Sequence, residues 1–110
     1  MRSATFGIIK GAENKLPAKT ALELFRRMAL CRYFELEVVK AVNSGRVKYP
    51  VYLSTGQEAV AAALSLSIPG FQLFTQHRCH STYLAFGGNP QKLRDELLGL
   101  PSGASGGRAG

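Results

Sequence analysis

Residues 20–42 read TALELFRRMALCRYFELEVVKAV, and this stretch decides what kind of fold the chain can adopt. Apolar side chains recur in it every three or four residues, which is the spacing of an α-helix. They form two rows: Leu22, Phe25, Ala29, Tyr33, Leu36 and Val39 in one, and Leu24, Met28, Cys31, Val38 and Val42 in the other. Two rows imply burial on more than one face. We therefore predict a long helix that packs inside a larger body.

Short-range signals mark both ends of this helix. Thr20 and Glu23 have the spacing of a capping box, in which the hydroxyl and the carboxylate each accept a hydrogen bond from a backbone amide. Glu23 and Arg27 lie one turn apart and are expected to pair at the surface. Gly45 is the expected stop, because glycine readily adopts the left-handed conformation that ends a helix.

Three shorter helices are predicted further along the chain. Their signals are two overlapping capping boxes in the STGQE stretch at 54–58, a glycine pair at 87–88, and Asn89-Pro90, which is typical of a helix start. The expected helix bodies are residues 59–66, 79–86 and 90–98, the last of which should stop at Gly99.

Two segments between the helices look extended instead. Val47–Leu53 is short and rich in tyrosine and valine, and Phe71–Thr75 is a run of mostly aromatic and aliphatic residues typical of a buried strand. We expect the chain to be mostly α-helical, with one or two short strands.

Composition places the chain among globular proteins. It has 110 residues, enough for one domain, and its 45% hydrophobic content is too high for a disordered chain. The net charge is +7, of which the first 50 residues carry +6, from ten basic and four acidic residues. A basic surface suits nucleic acid, an anionic membrane surface or an acidic small molecule, and it can equally meet an acidic partner subunit or simply be solvated. Basic residues are not interleaved with aromatic ones, so nucleic-acid binding is the weakest of these hypotheses.

Several features bear on location. The two cysteines have no paired spacing, which favours a reducing compartment. Residues 1–16 contain no continuous apolar run, so an ordinary secretion signal is excluded, although their few acids leave organelle targeting open. No stretch reaches the roughly 20 apolar residues that a membrane span needs, so no membrane partner is expected. We expect a cytoplasmic protein, with the mitochondrial matrix as the alternative.

The densest polar cluster is TQHRCH at residues 75–80, between a predicted strand and a predicted helix. Arg78 offers a planar fork suited to phosphate, and His80 offers an imidazole, a side chain that proteins use for proton transfer. Three other interpretations remain open. His77, Cys79 and His80 could bind a metal, Cys79 could act as a nucleophile beside His80, or the segment could be an ordinary turn with polar caps.

The last ten residues, PSGASGGRAG, form a glycine-rich segment. Composition favours a flexible linker. The functional alternative is a loop whose backbone amides approach a phosphate, but no helix and no P-loop lysine follow it.

Four segments, in order, carry a resemblance. They are 24–28 (LFRRM) with 32–35 (RYFE), 54–60 (STGQEAV), 74–80 (FTQHRCH) and 105–110 (SGGRAG). Together they resemble the alpha subunit of the thiamine diphosphate-dependent 2-oxo acid dehydrogenases, the family of the pyruvate, branched-chain and acetoin dehydrogenases. The resemblance implies an α/β thiamine diphosphate-binding fold for the longer protein. It also implies oxidative decarboxylation of a 2-oxo acid, with transfer of the acyl group to a lipoyl group.

The resemblance also assigns residues. Arg78 matches the arginine that contacts the diphosphate, Gln76 matches a glutamine of the branched-chain type, and His77 stands where tyrosine is usual. These three are the expected cofactor-binding residues. His80 matches the histidine on the active-site side and is the expected catalytic residue, although Ser81 replaces a common glycine after it. No residue here matches the magnesium motif, so the metal ligands are expected beyond residue 110.

The resemblance implies an organisation and a set of partners. We expect an N-terminal extension at 1–19, the first part of the thiamine diphosphate-binding domain at 20–100, and a truncated glycine-rich loop at 101–110. The expected partners are a beta subunit, a homologous alpha subunit and a lipoyl-bearing acyltransferase. The chain alone is expected to be inactive. The alternative hypothesis is a non-catalytic interaction module that uses the apolar surface of the first helix.

Overall fold

The computed structural model describes residues 15–68 and 72–109, and four α-helices form the regular structure of that part. They are α1 (Ala18–Asn43), α2 (Glu58–Ser67), α3 (His80–Ala85) and α4 (Pro90–Leu97). The first three helices pack on one another in pairs. Most of the predicted N-terminal extension lies outside the described residues. Within the described ranges, no helix combines the length and the apolar character that crossing a membrane requires.

The start of α1 differs from the prediction. The helix begins at Ala18, after Pro17, and no side chain caps it, so the capping box at Thr20 and Glu23 is wrong. The Glu23 carboxylate is instead bound by the guanidinium groups of Arg26 and Arg27, at 2.7 and 2.8 Å. These two arginines hold the pKa of Glu23 down at about 2. The predicted pair of Glu23 and Arg27 is thereby confirmed.

Three helices end as predicted. Gly45, Gly87 and Gly99 all have positive φ, from 70° to 92°. At each one, the glycine amide donates to the carbonyl three residues back, and the following amide donates to the carbonyl five residues back. This is the Schellman motif, which satisfies the last carbonyls of the helix. At the start of α4, the side chain of Asn89 accepts from the amides of Gln91 and Lys92, as the sequence predicted.

The two apolar rows of α1 differ in burial, although Val42 of the second row is 39% exposed. Cys31 and Val38, both of the second row, lie in the core together with Glu35. The first row remains at the surface: the side chains of Leu22, Phe25, Tyr33 and Leu36 are 70%, 68%, 70% and 44% exposed. The described part of this chain therefore does not supply the second burial surface that the sequence predicts.

No strand forms within residues 15–68 and 72–109, so the prediction of one or two short strands is wrong there. Val47–Leu53 is irregular and packs its side chains against Val38 and Leu97. Of the second predicted strand, Phe71 lies outside the described residues, and Phe74 is 92% exposed. A strand needs a neighbouring strand to pair its backbone amides and carbonyls. The described chain offers none to either segment.

The start of α2 also departs from the sequence expectation. The helix begins at Glu58, and neither predicted capping box forms. Ser54 is buried and donates to Glu35 of α1. The Glu58 carboxylate accepts from the amide of Gly56 at 3.0 Å. Both side chains therefore find partners, but the partners differ from those that local spacing suggests.

Candidate functional site

The turn before α3 carries the predicted cofactor-binding residues, and it is open to solvent. Gln76, His77 and Arg78 are all exposed. The Arg78 guanidinium donates one hydrogen bond, from Nη1 to the carbonyl of Leu53 at 3.3 Å. A guanidinium has five N–H donors. Most of the donors of Arg78 therefore face solvent and can bind an anion.

Tyr52 joins this turn, which the sequence reasoning missed. Its ring lies 4.6 Å from the ring of His77, centroid to centroid, and Cζ of Arg78 lies 5.9 Å from the centre of the same ring. Tyr52 is 50% exposed and belongs to the irregular segment before α2. We call Tyr52, Gln76, His77 and Arg78 the exposed cluster. The sequence shows Tyr52 only as an aromatic residue in an extended-looking segment, so nothing in its local pattern predicts the contacts with His77 and Arg78.

His80 occupies a different environment from the three residues before Cys79. It is 3% exposed and begins α3. Its Nδ1 lies 3.2 Å from Oε1 of Glu35, and its ring meets Phe34 edge-on at 6.0 Å between centroids. The structure therefore separates the predicted site residues into an exposed cluster and a buried histidine.

Glu35 is the second residue that sequence reasoning missed. It is fully buried, and the same Oε1 that faces His80 also accepts from the amide and the hydroxyl of Ser54, at 3.3 and 3.1 Å. Oε2 of Glu35 and Oγ of Ser81 are buried without a hydrogen-bond partner among the described residues. A signal was available, because Glu35 lies between Cys31 and Val38 at helical spacing, on the face predicted to be buried.

A salt bridge also links two of the resembling segments. Arg32 of α1 binds both carboxylate oxygens of Glu58 through Nε and Nη2. This pairing lowers the pKa of Glu58 to about 2. The side chain of Glu58 is 5% exposed, whereas that of Arg32 is 48% exposed. Together with Glu35, this contact gathers residues 32–35, 54–58 and 80 into one region.

Residues 101–109 of the glycine-rich segment form a loop closed by hydrogen bonds, rather than the flexible linker that composition favours. The loop folds around the buried carboxylate of Glu96 in α4. The amides of Ser105 and Gly107 donate to Oε2 at 2.6 and 3.0 Å, and the amide of Ala109 donates to Oε1 at 2.7 Å. Hydrogen bonds from Ala109 and then from Ser105 and Gly107 hold the pKa of Glu96 below its usual range. These three amides face an internal anion.

The metal interpretation of residues 75–80 finds no support in the described parts of the chain, whereas the nucleophile and ordinary-turn interpretations stay untested. No group of three His, Cys, Asp or Glu side chains gathers as a metal site in the described parts of the chain. Nδ1 of His80 faces Glu35, and Cys79 is a free thiol at the N-cap of α3. Cys31 is buried, and this burial raises the pKa of its thiol.

Comparison with known proteins gives a consistent set of relatives. The chain is 37% identical over 91 residues to the pyruvate dehydrogenase E1 component subunit alpha of Zymomonas mobilis, covering 81% of this chain and 26% of that protein. It is 32% identical over 90 residues to the mitochondrial subunit alpha-1 of Arabidopsis thaliana, covering 81% and 23%. It is 32% identical over 103 residues to the mitochondrial subunit alpha of Schizosaccharomyces pombe, covering 93% and 25%.

The share of each chain that is aligned determines what these matches establish. No family model matches the chain, and no solved structure matches it significantly. The chain spans about a quarter of the length of the curated relatives described above. The alignments nevertheless include most of the chain and always lead to relatives of the same name. Over the aligned residues, the chain belongs to the family of the pyruvate dehydrogenase E1 component alpha subunits.

Proposed function

We propose that this chain supplies the diphosphate-facing turn of a thiamine diphosphate-dependent 2-oxo acid dehydrogenase. The observation that carries the proposal is the exposed cluster. Its guanidinium, imidazole, phenol and carboxamide groups are all hydrogen-bond donors, and none of its members is a carboxylate. Most donors of Arg78 have no partner within the described residues. This donor set fits the phosphate oxygens of a diphosphate ester.

The proposal gives each residue a task. Arg78 would hold the diphosphate, with Gln76 and His77 beside it, and His80 would act on the reacting side. When bound, thiamine diphosphate supplies the carbanion chemistry that removes carbon dioxide from a 2-oxo acid. The magnesium ion that accompanies the diphosphate would take its ligands from residues beyond 110. The chain by itself should therefore hold the cofactor weakly.

The rest of the enzyme enters the proposal as partners. A beta subunit, a homologous alpha subunit and a lipoyl-bearing acyltransferase would complete the oxidative decarboxylation and the acyl transfer. The plant and yeast relatives described above are named as mitochondrial, and the Zymomonas relative is not. We therefore keep the mitochondrial matrix beside the cytoplasm as the proposed location.

The test uses the 110-residue chain in solution. Thiamine diphosphate with magnesium is titrated into uniformly ¹⁵N-labelled protein, and amide shifts are followed residue by residue. We expect weak binding with shifts concentrated at residues 52 and 76–78. Thiamine without the diphosphate is the matched control ligand and should move those amides much less. Equal shifts with both ligands, or no shifts at residue 52 and at residues 76–78, would contradict the proposal.

A second candidate function rests on a different observation. Leu22, Phe25, Tyr33 and Leu36 form an exposed apolar row along α1. Apolar rows of this kind are typical of protein–protein contacts. The chain would then act as a non-catalytic interaction module through this row. Sedimentation over a range of concentrations tests the idea, since a stable monomer at high concentration would count against it.

A further inference from the structure

Glu35 lies where three segments of the candidate site meet. It projects from the buried face of α1, Ser54 comes from the segment before α2, and His80 begins α3. The donors from both neighbours converge on one carboxylate oxygen, Oε1, at 3.1 to 3.3 Å. The side chains of Glu35 and His80 are 0% and 4% exposed, so water does not compete freely for these contacts.

The chemistry of the carboxylate determines where hydrogens must be. An ionised carboxylate only accepts hydrogen bonds. The amide and hydroxyl of Ser54 can both donate to it, and the ring nitrogen that faces it must also carry a hydrogen. In a neutral imidazole, a hydrogen on Nδ1 leaves the lone pair on Nε2. The contact with Glu35 therefore selects one of the two neutral forms of His80.

We infer that Glu35 is a positioning residue: it holds His80 with its hydrogen on Nδ1 and ties the start of α3 to the segment before α2. Nε2 is then the nitrogen left to accept a proton. The amide and the hydroxyl of Ser54 donate to the same Oε1 and fix the carboxylate itself. The inference deepens the proposed function and rests on it for the role of His80, but the hydrogen bond stands independently of any ligand.

The same anchor acts on the exposed cluster. Arg78 lies two residues before His80, and Tyr52 lies two residues before Ser54. Glu35 thus fastens both chain segments that carry the exposed cluster. It holds the segment with Tyr52 through Ser54 and the turn with Arg78 through His80. Removing the carboxylate should loosen the relative placement of Tyr52 and Arg78, although neither touches Glu35.

The experiment measures the histidine tautomers directly. The chain has only two histidines, so selective ¹⁵N-histidine labelling and long-range nitrogen–proton correlation spectra resolve both rings. His77 is exposed and serves as the internal reference. In the wild-type chain we expect His80 to carry its hydrogen on Nδ1 and His77 to show the ordinary preference for Nε2. Finding His80 with its hydrogen on Nε2 would overturn the inference.

Variants separate Glu35 from its surroundings. Glu35→Met removes the acceptor at similar size and should move His80 mostly to the Nε2–H form. The same substitution at the exposed Glu37 is the matched control and should leave His80 unchanged. Ser54→Ala removes the hydroxyl donor but keeps the backbone amide donor and the histidine contact, so His80 should stay as Nδ1–H. An unchanged tautomer in Glu35→Met, or a changed one in Ser54→Ala, would contradict the inference. If Glu35→Met does not fold, the wild-type and Ser54→Ala spectra still test whether His80 carries its hydrogen on Nδ1.

Titration of the same samples with thiamine diphosphate and magnesium separates the inference about Glu35 from the proposed function. Weaker binding in Glu35→Met than in Glu37→Met supports the effect on the exposed cluster. Equal binding in the two folded variants contradicts that effect. Failure of the wild-type chain to bind, with His80 present as Nδ1–H, counts against the proposed function alone.

Discussion

Two short connections in this chain differ in what their hydrogen-bond donors face. The turn at 76–78 and the loop at 101–109 both suggested a contact with phosphate. The turn leaves most of its side-chain donors toward solvent, whereas the loop directs three backbone amides at Glu96. The difference teaches that an anion-binding segment is available to a ligand only when the protein has not supplied the anion itself.

The largest expected effect concerns the packing of the loop. Gly107 has φ of +75°, and a Cβ there would lie 2.5 Å from the carbonyl carbon of Gly99. Gly107→Ala therefore adds a backbone collision to a strained conformation, and should destabilise the fold by about 3 kcal/mol. Gly106 has φ of +72° but meets only the Arg108 side chain, at 3.6 Å. Gly106→Ala should cost about 1 kcal/mol, and equal denaturant midpoints for the two variants would refute this account.

The next effect concerns the anion inside the loop. Glu96→Gln places an NH₂ group against at least one backbone amide, and should speed hydrogen exchange at Ser105, Gly107 or Ala109 at least about tenfold. Asp95→Asn is the control, because its carboxylate touches Ser102 and Arg94 rather than the loop amides. Equal exchange rates of the loop amides in Glu96→Gln and Asp95→Asn would contradict the conclusion that the Glu96 carboxylate holds the loop.

Acid should act in the same direction as Glu96→Gln. The pKa of Glu96 is lower in the folded chain than its ordinary value of 4.5. The stability from this carboxylate is therefore fully present above about pH 5, and is lost as the pH falls through the lower folded value. The protection of the loop amides, measured as the exchange rate relative to the intrinsic rate at each pH, should fall in the wild type as the pH is lowered and change less in Glu96→Gln.

A smaller effect is expected at the turn. Arg78→Gln should weaken thiamine diphosphate binding about fivefold, since an exposed charged contact contributes about 1 kcal/mol. Arg46→Gln removes the same charge from an exposed arginine whose guanidinium donates a hydrogen bond to the hydroxyl of Ser44. Titrations of the two variants should differ, and matching affinities would mean that net charge alone attracts the ligand.

The smallest effect tests Tyr52, one of the two residues that sequence reasoning missed. Tyr52→Phe keeps the ring against His77 and removes one neutral donor, so binding should weaken about twofold. Tyr33→Phe makes the same change at a tyrosine that is 70% exposed on α1, and should leave the affinity unchanged. Calorimetry on both variants would show whether Tyr52 belongs to the exposed cluster functionally as well as spatially.

The sequence predicted the helices well where the signal was local and without competitors. The glycines at 45, 87 and 99 adopt their left-handed conformation because no other residue type does so at low cost. The capping boxes failed because Glu23 and Ser54 had stronger partners available, namely Arg26 with Arg27 and the buried Glu35. Those choices depend on tertiary structure, which spacing does not reveal. The predicted strands failed for the same reason, since strand pairing is not a local property.

The sequence pointed to the turn at 76–80, but not to Tyr52, to Glu35 or to how these residues are arranged. Residues 76–78 and 80 lie within five positions of the sequence, yet the structure exposes Arg78 and buries His80. The contacts with Tyr52 and Glu35 join positions 25 and 45 residues apart along the chain. Assignment of Gln76, His77 and Arg78 to the cofactor and of His80 to catalysis stays a prediction.

Arg27 has a consequence for how the chain unfolds. Its guanidinium binds Glu23 within α1, the hydroxyl of Ser65 in α2 and the carbonyl of Ala85 in α3. One planar cation thus ties together the three helices that pack on one another. Because no one of them can move away without breaking a charge-assisted bond, the three should open as a single cooperative unit. Mutations far apart in the sequence would then lower the stability of all three helices together.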